Sequence, residues 1–323
     1  MILCIGTTPA VQRVMVFPRL TLDAVNRATL TLEGAAGKSV NVAKVLKAVW
    51  EEPVATGFLG GDRGEFLRSV LSAKRIAADF VPVAARTRQC ITVIDQAART
   101  QTELVEESQA VAPADYAALI AVVRRQLGRA ANKPQKARPH KCRAVVMSGT
   151  ITPGGPPRFY LECLRLAHEA GALSVVDAQG PPLIEALKAR PGVVKPNRSE
   201  LAATVRRELK SEAAVRRAMR ELCERGAQRV VITSGKQPAL AFDGRTFWKI
   251  SSPRVLAVNP IGSGDAFTAG LTWRLLRGDD FGEACRWAAA AGAANALTLM
   301  AGEVNRKDLK RLAGKVQVRK LGY

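Results

Sequence analysis

Apolar residues fall in two spacings along this chain. Short unbroken runs read as strands buried on both faces: Ile2-Leu3-Cys4-Ile5, Ala144-Val145-Val146-Met147, Ser174-Val175-Val176-Asp177 and Arg229-Val230-Val231-Ile232-Thr233. Helical spacing separates them, over about 161–170 and 211–225 and in a segment after Pro113 that ends near Gly128. That alternation predicts an α/β domain with a mostly parallel central sheet. Earlier in the chain, Val54 to Phe58 reads as a strand and about Gly64 to Ala73 as a helix. Gln89 to Asp95 and Thr100 to Glu106 alternate apolar with polar, which suits a half-exposed sheet. Val14 to Phe17 and Ala28 to Leu32 are two more short strands of that kind.

One stretch carries more chemistry than the rest: Val258-Asn259-Pro260-Ile261-Gly262-Ser263-Gly264-Asp265-Ala266-Phe267-Thr268-Ala269-Gly270. Asn259-Pro260 ends what precedes it, since proline lacks a donor and biases its neighbour away from helix. Gly262 and Gly264 permit backbone angles that other residues resist. A helix then runs from about Ala266 to Leu276. Its first N–H groups would converge on one point, where the helix start adds partial positive charge. Such a nest suits the spread charge of a transferring phosphoryl group. Asp265 beside it could take a proton from an attacking hydroxyl. The plainer reading is that Asp265 caps the helix.

A second glycine-containing stretch, Gly34-Ala35-Ala36-Gly37-Lys38-Ser39-Val40-Asn41-Val42-Ala43, also leads into a helix. Its Gly-Lys-Ser step is not a P-loop, because the position five before Gly37 is Leu32, where a P-loop needs glycine.

Together these two stretches resemble the signatures of the PfkB (ribokinase-like) sugar kinases. Gly57-Phe58-Leu59-Gly60-Gly61-Asp62, Ser148-Gly149-Thr150 and Lys195-Pro196-Asn197-Arg198-Ser199-Glu200 follow the same family in the same order. Asn26-Arg27, Lys38, Thr87-Arg88 and Ser148-Gly149 resemble its 1-phosphofructokinase and tagatose-6-phosphate kinase branch most closely. The resemblance implies a ribokinase-like three-layer α/β/α fold in a single domain, 1–323, with an inserted β lid formed by about 10–33 and 87–107. It implies an ATP-dependent phosphotransferase acting on a hydroxyl of fructose 1-phosphate, tagatose 6-phosphate or fructose 6-phosphate. Asp265 would be the catalytic base, and Gly262, Ser263 and Gly264 the anion hole. Gln12, Arg27, Gly37, Lys38, Asn41, Arg88 and Ser148 would hold the substrate, with cations on its existing phosphate. Lys195, Asn197, Thr233, Gly235, Gly264 and Asn295 would hold the nucleotide. Asn197 and Glu200 would act on Mg²⁺ through water. A homodimer formed through the β lid is a further expectation.

Four positions depart from the pattern. Gln12 replaces the aspartate that grips sugar hydroxyls in the branch, Ala36 and Ser39 replace glycines, and Pro238 replaces the last glycine of the loop after Thr233. Two rival readings follow: a kinase of an unphosphorylated sugar or nucleoside, and a weakened nucleotide- or sugar-phosphate-binding regulator.

Composition changes this picture little. The chain has 323 residues, 47% of them apolar, ample for one large core. No apolar run reaches the roughly 18 residues of a membrane helix, and the start of the chain lacks the features of a secretory signal, so a cytoplasmic protein is expected. The six cysteines form no Cys-x-x-Cys pair and there are two histidines, which disfavours a zinc site. A net charge of +21 raises nucleic-acid binding. With aromatics at 5% and many basic residues beside acidic ones, the charge reads as solvated surface instead. The densest basic run, Arg124 to Arg143, holds Lys133 to Pro139 and is expected as an exposed loop.

Overall fold

The computed structural model describes residues 1–131 and 141–322, and the basic run at Lys133 to Pro139 lies outside them. The buried apolar runs do form parallel strands: β1 (Ile2–Ile5), β4 (Pro53–Thr56), β10 (Ala144–Ser148), β11 (Leu173–Asp177), β12 (Val193–Val194) and β13 (Val230–Ser234). With β6 (Ala77–Ala78), β14 (Gln237–Phe242), β15 (Phe247–Ser251) and β16 (Gln317–Leu321) they build one ten-stranded sheet. Its order is β16-β15-β14-β13-β12-β11-β10-β1-β4-β6. The sheet is parallel from β13 to β6, and its other edge is antiparallel.

Successive residues on these strands face opposite cores, so each strand is apolar throughout. Cys4, Val146, Val175 and Val231 face one cluster, packed under α1 (Lys38–Ala48), α8 (Ser263–Leu275), α9 (Phe281–Asn295) and α10 (Arg306–Ala313). Leu3, Met147, Val176 and Ile232 face the other, under α3 (Pro113–Ala131), α4 (Phe159–Glu169), α5 (Gly180–Leu187), α6 (Arg198–Val205) and α7 (Glu212–Glu224). This is the expected three-layer α/β/α arrangement. No helix among the described residues is long and apolar enough to cross a membrane.

A second sheet has the order β3-β2-β8-β9, from β2 (Ala10–Phe17), β3 (Leu30–Ala36), β8 (Arg88–Asp95) and β9 (Thr100–Val105). Two of these strands differ from the expected bounds. The strand expected at 14–17 starts at Ala10, and the one expected at 28–32 runs Leu30–Ala36. Antiparallel pairing explains both changes, since Ala10 to Val16 match Ala36 to Leu30 residue for residue. The helix expected to end near Gly128 continues to Ala131. The antiparallel edge was not foreseen, although Asp243-Gly244 between β14 and β15 is a hairpin signal.

Candidate active site

The carboxyl ends of β11 and β12, the starts of α1 and α8, and one face of the small sheet enclose a cavity of about 330 Å³. Ligands of open α/β sheets bind at such strand ends. The small sheet contributes alternate residues, Ala10 and Gln12 from β2, Arg88 and Cys90 from β8, and Glu103 and Val105 from β9. Period-two alternation puts all six on one face.

At the start of α8, the residue before the helix is Gly262, with φ 82° and no side-chain cap. A Cβ there would meet the Ala301 Cβ at 2.8 Å. Ser263, Gly264 and Asp265 form the first turn. Ser263 N–H donates to the Pro260 carbonyl at 3.1 Å, which corrects its expected place in the anion hole. The N–H groups of Gly264 and Asp265 have no acceptor among the described residues and remain for an anion.

Asp265 is not a cap. Its carboxylate is buried and accepts from Asn41 Nδ2 at 2.8 Å, while Asn41 Oδ1, also buried, has no partner. Burial and the nearby Asp177 carboxylate push Asp265 up to about 6, against opposing contributions from Lys38, the Asn41 bond and Lys195. A base near this value is ionised at neutral pH yet retains proton affinity.

Asp177, at the tip of β11, has the opposite surroundings. Its carboxylate meets Lys195 Nζ at 2.9 Å, Lys38 Nζ at 3.1 Å and Thr268 Oγ1 at 2.9 Å. Burial alone would raise its pKa, but the two ammonium groups and the donors from Lys195 and Thr268 hold it down at about 2. Sequence reasoning noted this aspartate only as a strand tip and gave it no role. An acidic residue at the carboxyl end of a buried strand was the available signal.

Lys38 also pairs with Glu200 Oε1 at 2.9 Å. Burial opposes its charge, yet the Asp177 and Glu200 carboxylates raise its pKa. The Lys-Pro-Asn-x-x-Glu string forms a capping box at the start of α6. Asn197 Oδ1 accepts from Glu200 N–H at 2.8 Å and Ser199 Oγ at 2.6 Å, and Glu200 Oε2 accepts from Asn197 N–H at 2.8 Å. Both lone pairs of Asn197 Oδ1 are taken, whereas each Glu200 oxygen accepts one bond and keeps a second lone pair, so Glu200 fits Mg²⁺ through water and the expected part of Asn197 is corrected to holding Glu200 in place. Among the described residues, no group of three or more His, Cys, Asp or Glu is arranged to hold a metal.

Of the residues singled out in the sequence, Gln12, Gly37, Lys38, Asn41, Arg88, Lys195, Asn197, Glu200, Thr233, Gly262, Gly264 and Asp265 line this cavity. Gly235 lines an adjoining groove that shares Asn197 and Thr233 with it. Three others fall elsewhere. Arg27 is exposed on the turn between β2 and β3 and does not line the cavity. Asn295 is fully buried and ties two turns together, donating to the Ile261 carbonyl and accepting from Gly302 N–H, both at 2.8 Å. Ser148 is buried and does not line the cavity, its hydroxyl without a partner among the described residues. Gln12 lines the cavity with both amide ends engaged, since Nε2 donates to Thr92 Oγ1 and Oε1 accepts from Ala301 N–H, each at 3.1 Å.

A family model described as pfkB family carbohydrate kinase matches residues 1–307. The chain belongs to this family. It is 28% identical to the tagatose-6-phosphate kinase of Staphylococcus epidermidis, over 98% of this chain and 99% of that protein. The pfkB assignment agrees with the fold. The crystal structure of phosphofructokinase-2 from Escherichia coli in complex with fructose-6-phosphate superposes with a TM-score of 0.83 at 26% identity, covering 97% of this chain and 98% of that one. Arabidopsis thaliana ribokinase complexed with ribose and ATP superposes with a TM-score of 0.71 at 17% identity, over 97% and 98% of the two chains, which shows the shared fold.

Proposed function

We propose that this pfkB-family protein transfers the γ-phosphoryl of ATP to a hydroxyl of a sugar phosphate, with fructose 1-phosphate, tagatose 6-phosphate and fructose 6-phosphate as candidates. The observation that carries the reading is Asp265, a buried carboxylate with no ion-pair partner among the described residues, raised to about 6, beside two N–H groups at a helix start that have no acceptor among them. The incoming hydroxyl gives its proton to Asp265. The amides of Gly264 and Asp265 steady the transferring group. Asn41 orients the carboxylate through Nδ2, and its open Oδ1 can accept from the acceptor sugar. Lys195 and Lys38 present positive charge on the nucleotide side, and the groove at Thr233 and Gly235 takes the rest of the nucleotide. Magnesium arriving with ATP would neutralise phosphate charge, held through water by Glu200, which Asn197 keeps in place.

At the lid end, Arg88 meets the phosphate already on the sugar. Its Nε is buried without a partner, and one terminal nitrogen donates to the Thr8 carbonyl at 3.2 Å. Burial raises the Glu103 carboxyl against the pull of Arg88, which suits an acceptor of sugar hydroxyls. The rival, a kinase of free sugars, gains from Lys38, whose charge already meets two carboxylates. A homodimer belongs to the same reading, because the lid and its turn expose Leu22, Val25, Leu30 and Leu104.

An ADP-release assay across free hexoses and hexose phosphates tests the assignment. Phosphorylated sugars should be preferred by at least about 10²-fold in kcat/KM, or roughly 3 kcal/mol. Equal use of both classes would hand the site to the free-sugar reading, and no ADP release with either would favour a regulator.

A further inference from the structure

We infer that Lys44 is a positioning residue for phosphoryl transfer, its ammonium tying lid strand β3 to the turn on which the anion nest and the Asp265 support both rest. The inference rests on the kinase reading above and adds a residue that neither the signature strings nor the cavity lining includes.

Lys44 lies on α1, two turns in from Gly37, and is buried at 6% exposure. Lysine is rarely this buried without a specific partner. Here the partners are two backbone carbonyls. Nζ donates to Ala35 O in β3 at 3.0 Å and to Ala301 O. Ala35 belongs to the lid, paired with Val11 of β2. Ala301 belongs to the turn after α9, and that turn is wedged into the site. A Cβ on Gly262 would strike it, with the Ala301 Cβ at 2.8 Å and Gly302 N at 3.0 Å. A Cβ on Gly302 would meet Asn41 Cα at 2.7 Å. One side of the turn therefore backs the nest, and the other backs the residue that holds Asp265. The same turn receives the lid from above, where Ala301 N–H donates to Gln12 Oε1 and Met300 packs with Val14, Val16 and Ile94.

Lys44 thus closes a loop of contacts: lid strand, buried cation, turn, nest. Both carbonyls lie where water has no ready access, and charge-assisted bonds are about twice as strong as neutral ones. A shift of about 1 Å at reacting atoms can cost on the order of 10²-fold in rate. The ionisation of this amine is finely placed. Burial lowers it to about 8, Glu303 and Asp265 act to raise it, and Lys74 acts to lower it. Lys74 and Glu303 pair with each other at 2.9 Å. The charge is present at neutral pH and is lost as pH rises through about 8.

Three measurements test this. Lys44→Met should lower kcat by about 10-fold or more, with KM for ATP changed less than about threefold. Lys44→Arg keeps a charge at every accessible pH. It should restore most of kcat and abolish the decline expected of the wild-type enzyme as pH rises past about 8. Hydrogen exchange of the unliganded protein gives a readout independent of turnover. Lys44→Met should lose protection in residues 299–302 and in 30–36 together, leaving β10 and β11 protected. A folded Lys44→Met with wild-type kcat, an alkaline decline unchanged in Lys44→Arg, or unchanged exchange in both segments would overturn the role. Should Lys44→Met fail to fold, the Lys44→Arg profile and its exchange decide alone. Failure of the wild-type protein to release ADP would instead sink the kinase reading, and the exchange experiment would still decide whether Lys44 couples lid to turn.

Discussion

Asp177 and Asp265 are both buried aspartates on the same cavity, and their surroundings drive them apart. Asp177 ends a strand of the central sheet, where Lys195, Lys38 and Thr268 all donate to it. Asp265 sits in the first turn of α8, where a single neutral amide donates to it. The first is held at about 2 and the second is raised to about 6. Pairs of titratable groups separated in this way mark a division of labour. Asp177 is a fixed anion that keeps two cations in place. Asp265 is a carboxylate whose proton affinity has been preserved by leaving it without an ion-pair partner. Burial alone does not make a catalytic base; the lack of a neighbouring cation in contact does.

The strongest way to break this comparison is to neutralise each carboxylate and watch stability move in opposite directions. Asp177→Asn leaves Lys195, a nearly fully buried ammonium, without its counter-charge, and should destabilise the protein by about 3–5 kcal/mol. Asp265→Asn should do the reverse. A carboxylate raised in the folded state costs stability above its folded pKa and costs nothing below its unfolded one. With 3.8 as the ordinary value and about 6 in the fold, that cost is complete at neutral pH and gone near pH 4. Asp265→Asn should therefore gain up to about 3 kcal/mol at pH 7 and nothing at pH 4, in urea melts at the two pH values. Its kcat should fall by at least about 10²-fold. A variant that is more active, or less stable at pH 7, would contradict the role of Asp265.

A gentler test is the pH profile of the unaltered enzyme. Because Asp265 must be ionised to accept a proton, kcat/KM should fall as pH drops below about 6. Asp177 predicts no limb in that range, since it stays ionised down to about 2. A profile flat to pH 5 would erase the distinction between the two residues.

The two aspartates also show what the sequence could reveal. Asp265 was legible as a candidate because the string that marks it, from Asn259 to Gly270, is local: a stop, two glycines, a helix start; its bond from Asn41, 224 residues away, needed the fold. Asp177 needed the fold, since Lys195 comes from a neighbouring strand and Lys38 from 139 residues away. Gln12 shows the same limit. In the sequence it stood where a sugar-gripping aspartate was expected, yet its amide is engaged by Thr92, 80 residues on, and by Ala301, 289 residues on. Arg27 carried the right charge, but only the fold shows that it is exposed and does not line the cavity. The parallel strands were readable from unbroken apolar runs buried on both faces. The strands β14 to β16 were missed: β14 is apolar towards both cores over only four residues, Ala239 to Phe242, and β15 and β16 mix Lys249, Ser251, Arg319 and Lys320 into their apolar residues.

The smallest expected effect lies at the lid end, and it sharpens the comparison by leaving both aspartates alone. Arg88 is the cation that the lid turns into the cavity, with Nε buried and unpaired. An unpaired donor there is costly unless an anion joins it. Its neighbour on the adjacent strand, Glu103, repels a phosphate, so Arg88 is the group with most to offer one. Arg88→Ala should raise KM for the sugar phosphate by about 10-fold, roughly 1.4 kcal/mol, as expected for one charge-assisted contact. KM for ATP should change little, because the nucleotide side is served by Lys38 and Lys195. The acid limb near pH 6 should remain, because Arg88 is not among the groups that set the Asp265 carboxyl. An equal rise in both KM values would mean that the lid closes over the nucleotide and not the sugar. A KM unmoved for either substrate would leave the second phosphate without its cation, and would shift the reading to an unphosphorylated sugar.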